Sequence, residues 1–191
     1  SVKSRGLGDV YKRQIFFETM SGYTATGSTI LDDVESLPKS IIFWRSMTHW
    51  LGGMGIIVLA IAILPLLGIG GMQLFSAEVP GSGISGDKIH PRISATAKRL
   101  WLIYFGLTTL ETIALSIAGM SFFDALNHSM SNIATGGFST KNESLAYWNS
   151  IPSVQYIVIF FMILAGTNYL LIYSALIGNF KKLFTNTEFL W

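Results

Sequence analysis

Met20-Ser21-Gly22-Tyr23-Thr24-Ala25-Thr26-Gly27-Ser28-Thr29 is the stretch on which the fold turns, because it recurs. About 110 residues later the chain reads Met130-Ser131-Asn132-Ile133-Ala134-Thr135-Gly136-Gly137-Phe138-Ser139-Thr140. Met20 and Ser21 fall on Met130 and Ser131, and Gly27 falls on Gly137. Each copy follows a short, semi-polar run of helical character and precedes a polar loop and a long apolar segment. One Thr-Gly turn is weak evidence, since such turns are common in loops. Two in matching context form an internal repeat, which is a signal about the whole fold.

The apolar segments set the solvent. Leu51–Gly71 carries no charge, Leu100–Met120 carries one (Glu111), and Val154–Ile177 carries none. Each is long enough to cross roughly 30 Å of hydrocarbon. Half of the chain is hydrophobic and 13% is charged, with mean hydropathy +0.49; soluble domains carry about 25% charged residues. Zero cysteines excludes disulfides and thiolate metal sites. The expected fold class is an all-α membrane protein. Ser121–Ile133, with Asp124, Asn127, His128 and Asn132, reads as a helix too short and too polar to cross.

The N-terminus is treated separately. Ser4–Gln14 looks like an in-frame translation of a transposon-type sequencing-library adapter, so residues 1–14 are set outside the fold. Without them nine basic residues face ten acidic ones, and no nucleic-acid argument survives. The remaining divisions are 15–67, the end of a first helix–turn–helix unit; 68–98, a hydrophilic connection; 99–180, a complete second unit; and 181–191, the start of a further connection. Gly52-Gly53-Met54-Gly55 offers the small residues that let a neighbouring backbone approach closely, and Pro65 bends or stops its run. The segments 68–99 and 181–182 hold most of the Lys and Arg, so the positive-inside rule places them in the cytoplasm and both Thr/Gly turns on the outer side.

Two bare turns entering from one face call for a shared wet path, because irregular backbone at membrane depth must be buried in protein or line a cavity. The chemistry that fits is dehydration of a monovalent cation. Thr24-Ala25-Thr26-Gly27 and Ala134-Thr135-Gly136-Gly137 combine small side chains, free carbonyls and hydroxyls, the materials of an ion-selectivity filter. Each short helix would aim its partly negative C-terminus at the ion. Asp32, Asp33 and Glu35 would gather cations at the outer mouth. A carrier for an organic anion would want helix N-termini at the site instead. A non-transporting scaffold would need no filter at all.

Glu111 lies mid-span, where a carboxylate is functional by default; the alternatives are a cation- or proton-linked group and a carboxylate capped by Thr108, Thr112 or a neighbouring helix. Arg45 and His49, one helical turn apart, either anchor the pore helix or snorkel to the interface. His49, His90 and His128 sit in separate elements, which argues against a metal site. Asn168 is expected to bond between helices. Trp44, Trp50, Trp101 and Trp148 are expected in aromatic belts. No phosphate-binding loop, catalytic triad or zinc motif is present, so no enzyme is expected.

Met130–Asn142, read with Phe123-Asp124-Ala125-Leu126-Asn127-His128 before it, resembles the second filter and pore helix of the Trk/Ktr family of bacterial potassium transporters. Met20–Thr29 resembles the first filter, and Trp44–Ile56 with His49-Trp50-Leu51-Gly52-Gly53-Met54-Gly55 the inner helix after it. Met72–Pro80 and Pro91-Arg92-Ile93 resemble the cytoplasmic loop of its TrkH-type subunit. The resemblance covers 15–191. It implies helix–re-entrant pore loop–helix repeats of the potassium-channel type, here truncated to about one and a half of four. It further implies K+ as the transported ion, no covalent cofactor, a homodimer in the bacterial inner membrane, and a TrkA-type nucleotide-binding partner on the cytoplasmic face. Gly27 and Gly137 carry over as filter glycines that favour potassium; a sodium or mixed-cation relative is the alternative.

Overall fold

The computed structural model describes residues 2–55 and 90–176. Most of the first apolar segment (including Pro65), the connection 68–89 with its Met72–Pro80 motif, and residues 177–191 with Lys181 and Lys182 lie outside the described residues. All regular structure among the described residues is helical: α1 Val2–Tyr23, α2 Lys39–Trp50 continued by a π-type turn Leu51–Gly55, α3 His90–Ile117, α4 Phe122–Ile133, a 3-10 turn Ser144–Trp148, α5 Pro152–Gly166 and α6 Tyr169–Leu176. They fall into two compact units, Ser1–Gly53 with Leu107–Gly166, and Met54–Gly106 with Thr167–Trp191.

The first unit carries both Thr/Gly turns. Its α4 begins where the sequence offers a cap. The Ser121 hydroxyl accepts from the backbone N–H of Asp124 at 3.1 Å and donates to the Asp124 carboxylate at 2.7 Å. Behind α4 the core consists of Leu115, Met120, Ala125, Trp148, Val154 and Val158. Trp148 is therefore not a lipid-facing belt residue; it is 5% exposed and meets the His128 ring edge-on at 5.0 Å. Trp44, by contrast, is exposed.

The helices are turned inside out relative to a water-soluble protein. On α3, Thr108, Glu111 and Thr112 are buried, whereas Leu110, Ile113 and Ile117 are exposed. On α5, Tyr156, Ile159, Phe160, Met162 and Ile163 are exposed. Polar groups seek partners inside and apolar groups face out, as in lipid. Among the described residues one helical stretch, Lys98–Ile117, is long and apolar enough to cross a membrane, and Pro152–Gly166 is a shorter apolar helix.

The third apolar segment is not one continuous span. α5 stops at Gly166, and α6 starts anew when the Asn168 carbonyl accepts the N–H groups of Leu171 and Ile172 at 2.9 and 3.2 Å. Gly-Thr-Asn explains the break: glycine gains least from helix, and threonine and asparagine side chains compete for backbone bonds. The helix after the first turn breaks at the matching position. Gly53, with φ −65° and ψ −135°, stands as far beyond Lys39 as Gly166 stands beyond Pro152.

In the second unit, the Tyr104 and Tyr169 rings meet edge-on at 6.2 Å, and the Arg99 guanidinium lies 5.4 Å from the centre of the Tyr173 ring. Pro91 occupies the first turn of α3, where its missing N–H costs nothing.

Replacing Trp148 with alanine should leave a cavity that collapses only partly. The expected loss is about 3–5 kcal/mol, read as a lowered melting temperature of the detergent-solubilised chain; an unchanged melting temperature would place Trp148 outside the core.

Candidate functional site

Both short helices end in the same way. After α1, the N–H of Ala25 bonds the Gly22 carbonyl and that of Thr26 bonds Ser21, each at 3.0 Å. After α4, the N–H of Thr135 bonds Asn132 at 2.8 Å and that of Gly136 bonds Ser131 at 2.9 Å. These are Schellman endings, whose closing residue must adopt left-handed backbone. The closing residues are Ala25 (φ 51°) and Thr135 (φ 56°), followed two positions on by Gly27 (φ 75°) and Gly137 (φ 93°). The end of α3 shows the unstrained version, with the same two bonds closed by Gly119 at φ 113°. Left-handed backbone costs an L-residue roughly 1–2 kcal/mol, and a β-branched threonine there is a true outlier. Such strain persists only where the surroundings enforce it.

Those surroundings begin with the helices themselves. Glu18 of α1 reaches past the first turn, accepting from the Thr29 hydroxyl at 2.9 Å and the Ile30 N–H at 3.3 Å. His128 of α4 does the same past the second, with Nε2 3.0 Å from the Ser139 hydroxyl. Glu18 and His128, like Thr29 and Ser139, are related by the same spacing as the turns. Asp124 adds a bond from the Thr140 hydroxyl at 2.6 Å. Within the first turn, Ser21 donates to the Ser28 carbonyl at 2.6 Å, and the Thr24 and Thr26 hydroxyls lie 2.8 Å apart.

The two turns touch. A Cβ on Gly27 would lie 1.9 Å from the Gly136 carbonyl oxygen, and one on Gly136 would strike the His49 ring at 2.2 Å. One face of α2 holds the pair together. Arg45 Nε and Nη2 lie 2.8 and 2.7 Å from Glu18, Nη2 donates to Thr29 at 3.2 Å, and the guanidinium sits 4.2 Å from the centre of the Phe138 ring. One turn later, the fully buried His49 bonds the Ser131 hydroxyl through Nδ1 at 2.9 Å and stacks on Phe138 at 3.9 Å. Of the two sequence alternatives, Arg45 and His49 anchor; both are buried and neither snorkels. The Gly52 expectation also holds, since its Cβ would lie 2.1 Å from the Tyr23 carbonyl.

Glu111 has a partner from a neighbouring helix: its Oε1 accepts from Asn132 at 2.6 Å. Outside the turns, Asp33 and Glu35 clip the first loop onto the second. The Asn142 amide donates to Asp33 at 2.8 Å and accepts from the Val34 N–H at 2.8 Å, while Glu35 pairs with Lys141 at 3.2 Å. Asp32 is exposed. The Asn142 hydrogen bond holds the Asp33 carboxyl below its ordinary value, and the hydrogen bond to Glu35 holds the Lys141 ammonium above its own. Among the described residues no group of three His, Cys, Asp or Glu is placed to hold a metal.

Sequence reading singled out every turn residue but missed Glu18, Ser139 and Phe138 as supports. Applying the repeat spacing one turn upstream and two residues downstream would have found the Glu18–Thr29 and His128–Ser139 straps.

The profile of a family described as "TrkH: Cation transport protein" matches residues 11–189. The chain is 52% identical over 169 residues to the Trk system potassium uptake protein TrkH of Salmonella typhimurium and, equally, of Escherichia coli K12, covering 88% of this chain and 35% of each relative. It is 43% identical over 157 residues to the Trk system potassium uptake protein TrkG of Escherichia coli K12, covering 82% and 32%. The crystal structure of the potassium transporter TrkH from Vibrio parahaemolyticus superposes with a TM-score of 0.72 at 41% identity, covering 92% of this chain and 34% of that one. The chain thus spans about a third of the length of the relatives it matches.

Thr135→Gly should relieve the left-handed strain and raise stability by about 1 kcal/mol, seen as a higher melting temperature in detergent; a lower one would mean that the threonine side chain supplies more than its backbone costs. The loop clip has a definite pH window. A lowered Asp33 value contributes stability that is present above the ordinary value of 3.8 and lost as pH falls through the folded value. A raised Lys141 value contributes stability present below 10.5 and lost as pH rises through the folded value. Intrinsic-rate-corrected amide protection at Val34 and Asn142 should therefore stay flat across neutral pH and fall in acid below 3.8. A fall centred near neutrality would contradict it.

Proposed function

The chain belongs to the TrkH family of cation transport proteins, and on that premise we propose that it forms part of the ion-conducting subunit of a potassium uptake system. Carbonyl oxygens of Thr24, Ala25, Thr26 and Gly27 and of Ala134, Thr135, Gly136 and Gly137 replace the hydration shell of K+. The observation that carries this reading is the pair of identically closed, strained turns in contact at Gly27 and Gly136. Strain of this kind clusters where backbone geometry is itself the working part. The relatives' names point to the ion, and glycine at both filter positions agrees with potassium by family resemblance.

The turns belong to helix–pore loop–helix repeats, of which the chain holds about one and a half of four. In the second copy, Leu115 of α3 shares a buried cluster with Ala125, Val154 and Val158, and Thr112 of α3 bonds Ser129. In the first, the corresponding residues Ile15, Thr19, Ile41 and Arg45 line a cavity of about 430 Å³ beside α1 and α2, the place an outer helix fills in such a repeat. The working assembly is a homodimer in the bacterial inner membrane with a TrkA-type nucleotide-binding subunit on its cytoplasmic side. Asp33 and Glu35 serve the loop clip first, which leaves Asp32 as the free acid at the outer mouth.

The test is a chimera in which residues 15–191 replace the matching third of the Escherichia coli relative. It should restore growth of a potassium-uptake-deficient bacterium at low K+. Thr26→Leu with Gly137→Leu should abolish that growth at unchanged membrane abundance. Growth that survives the double substitution would favour a scaffold without a filter.

A further inference from the structure

We propose that Glu111 is a positioning residue for the second turn: its buried carboxyl fixes the Asn132 side chain and, through it, the left-handed bend at Thr135. The inference rests on the filter reading above for its consequence in transport, but not for its geometry.

Glu111 is fully buried in the last third of α3, where leucine would cost nothing and a carboxyl is expensive. Its Oε1 accepts from Asn132 Nδ2 at 2.6 Å, and the same amide donates to the Val158 carbonyl at 3.2 Å. Asn132 thereby ties the end of α4 to both α3 and α5. Its own backbone carbonyl accepts the Thr135 N–H at 2.8 Å, one of the two bonds that close the strained turn. The side chain of Asn132 is thus clamped at the residue whose main chain must hold Thr135 at φ 56°.

Neighbouring contacts make the clamp rigid. Thr112 and Ser129 share a hydrogen bond of 2.5 Å, which sets the register of α3 on α4. Trp50 donates to Thr108 at 3.1 Å, tying α2 to the same face. The second oxygen, Oε2, has no hydrogen-bond partner among the described residues, so the carboxyl acts through Oε1. The first turn has no counterpart: the position of Asn132 is held there by Gly22, packed against Thr48. Glu111 therefore acts on one turn and not on the other.

The experiment uses the same chimera with Glu111→Ala, Glu111→Gln and Glu111→Ala/Thr135→Gly. Hydrogen–deuterium exchange in detergent should accelerate about tenfold at Thr135 and Gly136 in Glu111→Ala, the scale of one lost buried hydrogen bond, with Ala25 and Thr26 unchanged. Glu111→Gln keeps an acceptor for Asn132 and should match the parent. In uptake assays Glu111→Ala should lower the preference for K+ over Na+ about tenfold. The added Thr135→Gly, which removes the need for enforcement, should return exchange at Gly136 toward that of the parent. Equal exchange at Thr135 in Glu111→Ala and parent would overturn the inference, as would Glu111→Gln behaving like Glu111→Ala. A parent chimera that moves no K+ while the exchange pattern holds would sink the filter reading and leave the positioning role standing.

Discussion

Left-handed backbone at two residues that do not want it is the constraint around which the described structure is built. Ala25 and Thr135 close helices in a conformation that Gly119, a few residues before α4, adopts freely. The cost recurs in each turn, and the chain meets it with side chains from every element nearby. Glu18 and His128 strap the outgoing limb of each turn to its own helix. α2 then couples the two, since Arg45 and His49 both engage Phe138 of the second turn while Arg45 holds Glu18 and Thr29 of the first.

This arrangement explains why polar side chains concentrate in the interior. His49, Glu111, Asn127, Ser129 and Ser131 are almost wholly buried, while Leu110, Ile113 and Ile117 of α3 and Ile159, Phe160 and Ile163 of α5 face outward. In water such a distribution would be unstable and adhesive. In lipid it is the ordinary solution, because the bilayer accepts apolar surface and leaves hydrogen bonding to be completed inside the protein. The buried groups are busy mainly with turns: most of their bonds end on a turn residue or on the helix leading into one.

The two copies are alike where the backbone must be alike and differ elsewhere. Hydrogen bonds, φ signs and straps repeat at one spacing. The buttresses do not: Glu111 and Asn132 stand behind the second turn, and an Arg45–Glu18 pair stands behind the first.

The sequence alone determined the helical class, pointed to lipid as the solvent and marked two similar Thr/Gly stretches, because hydropathy and Thr/Gly punctuation are local properties of the chain. It also located Ser121 as a helix start and Gly52 as a point of close approach. Only the tertiary structure decided which side chains hold the turns. Glu18 reaches eleven residues ahead, His49 reaches across to Ser131, and Asn142 meets Asp33 across 109 residues. It also moved Trp148 from an expected interface belt into the core, and divided the last apolar segment at Gly166–Asn168. Composition can say that an aromatic or a carboxyl is present near a span. Which neighbour it meets depends on packing between segments far apart in sequence, and no local pattern carries that information.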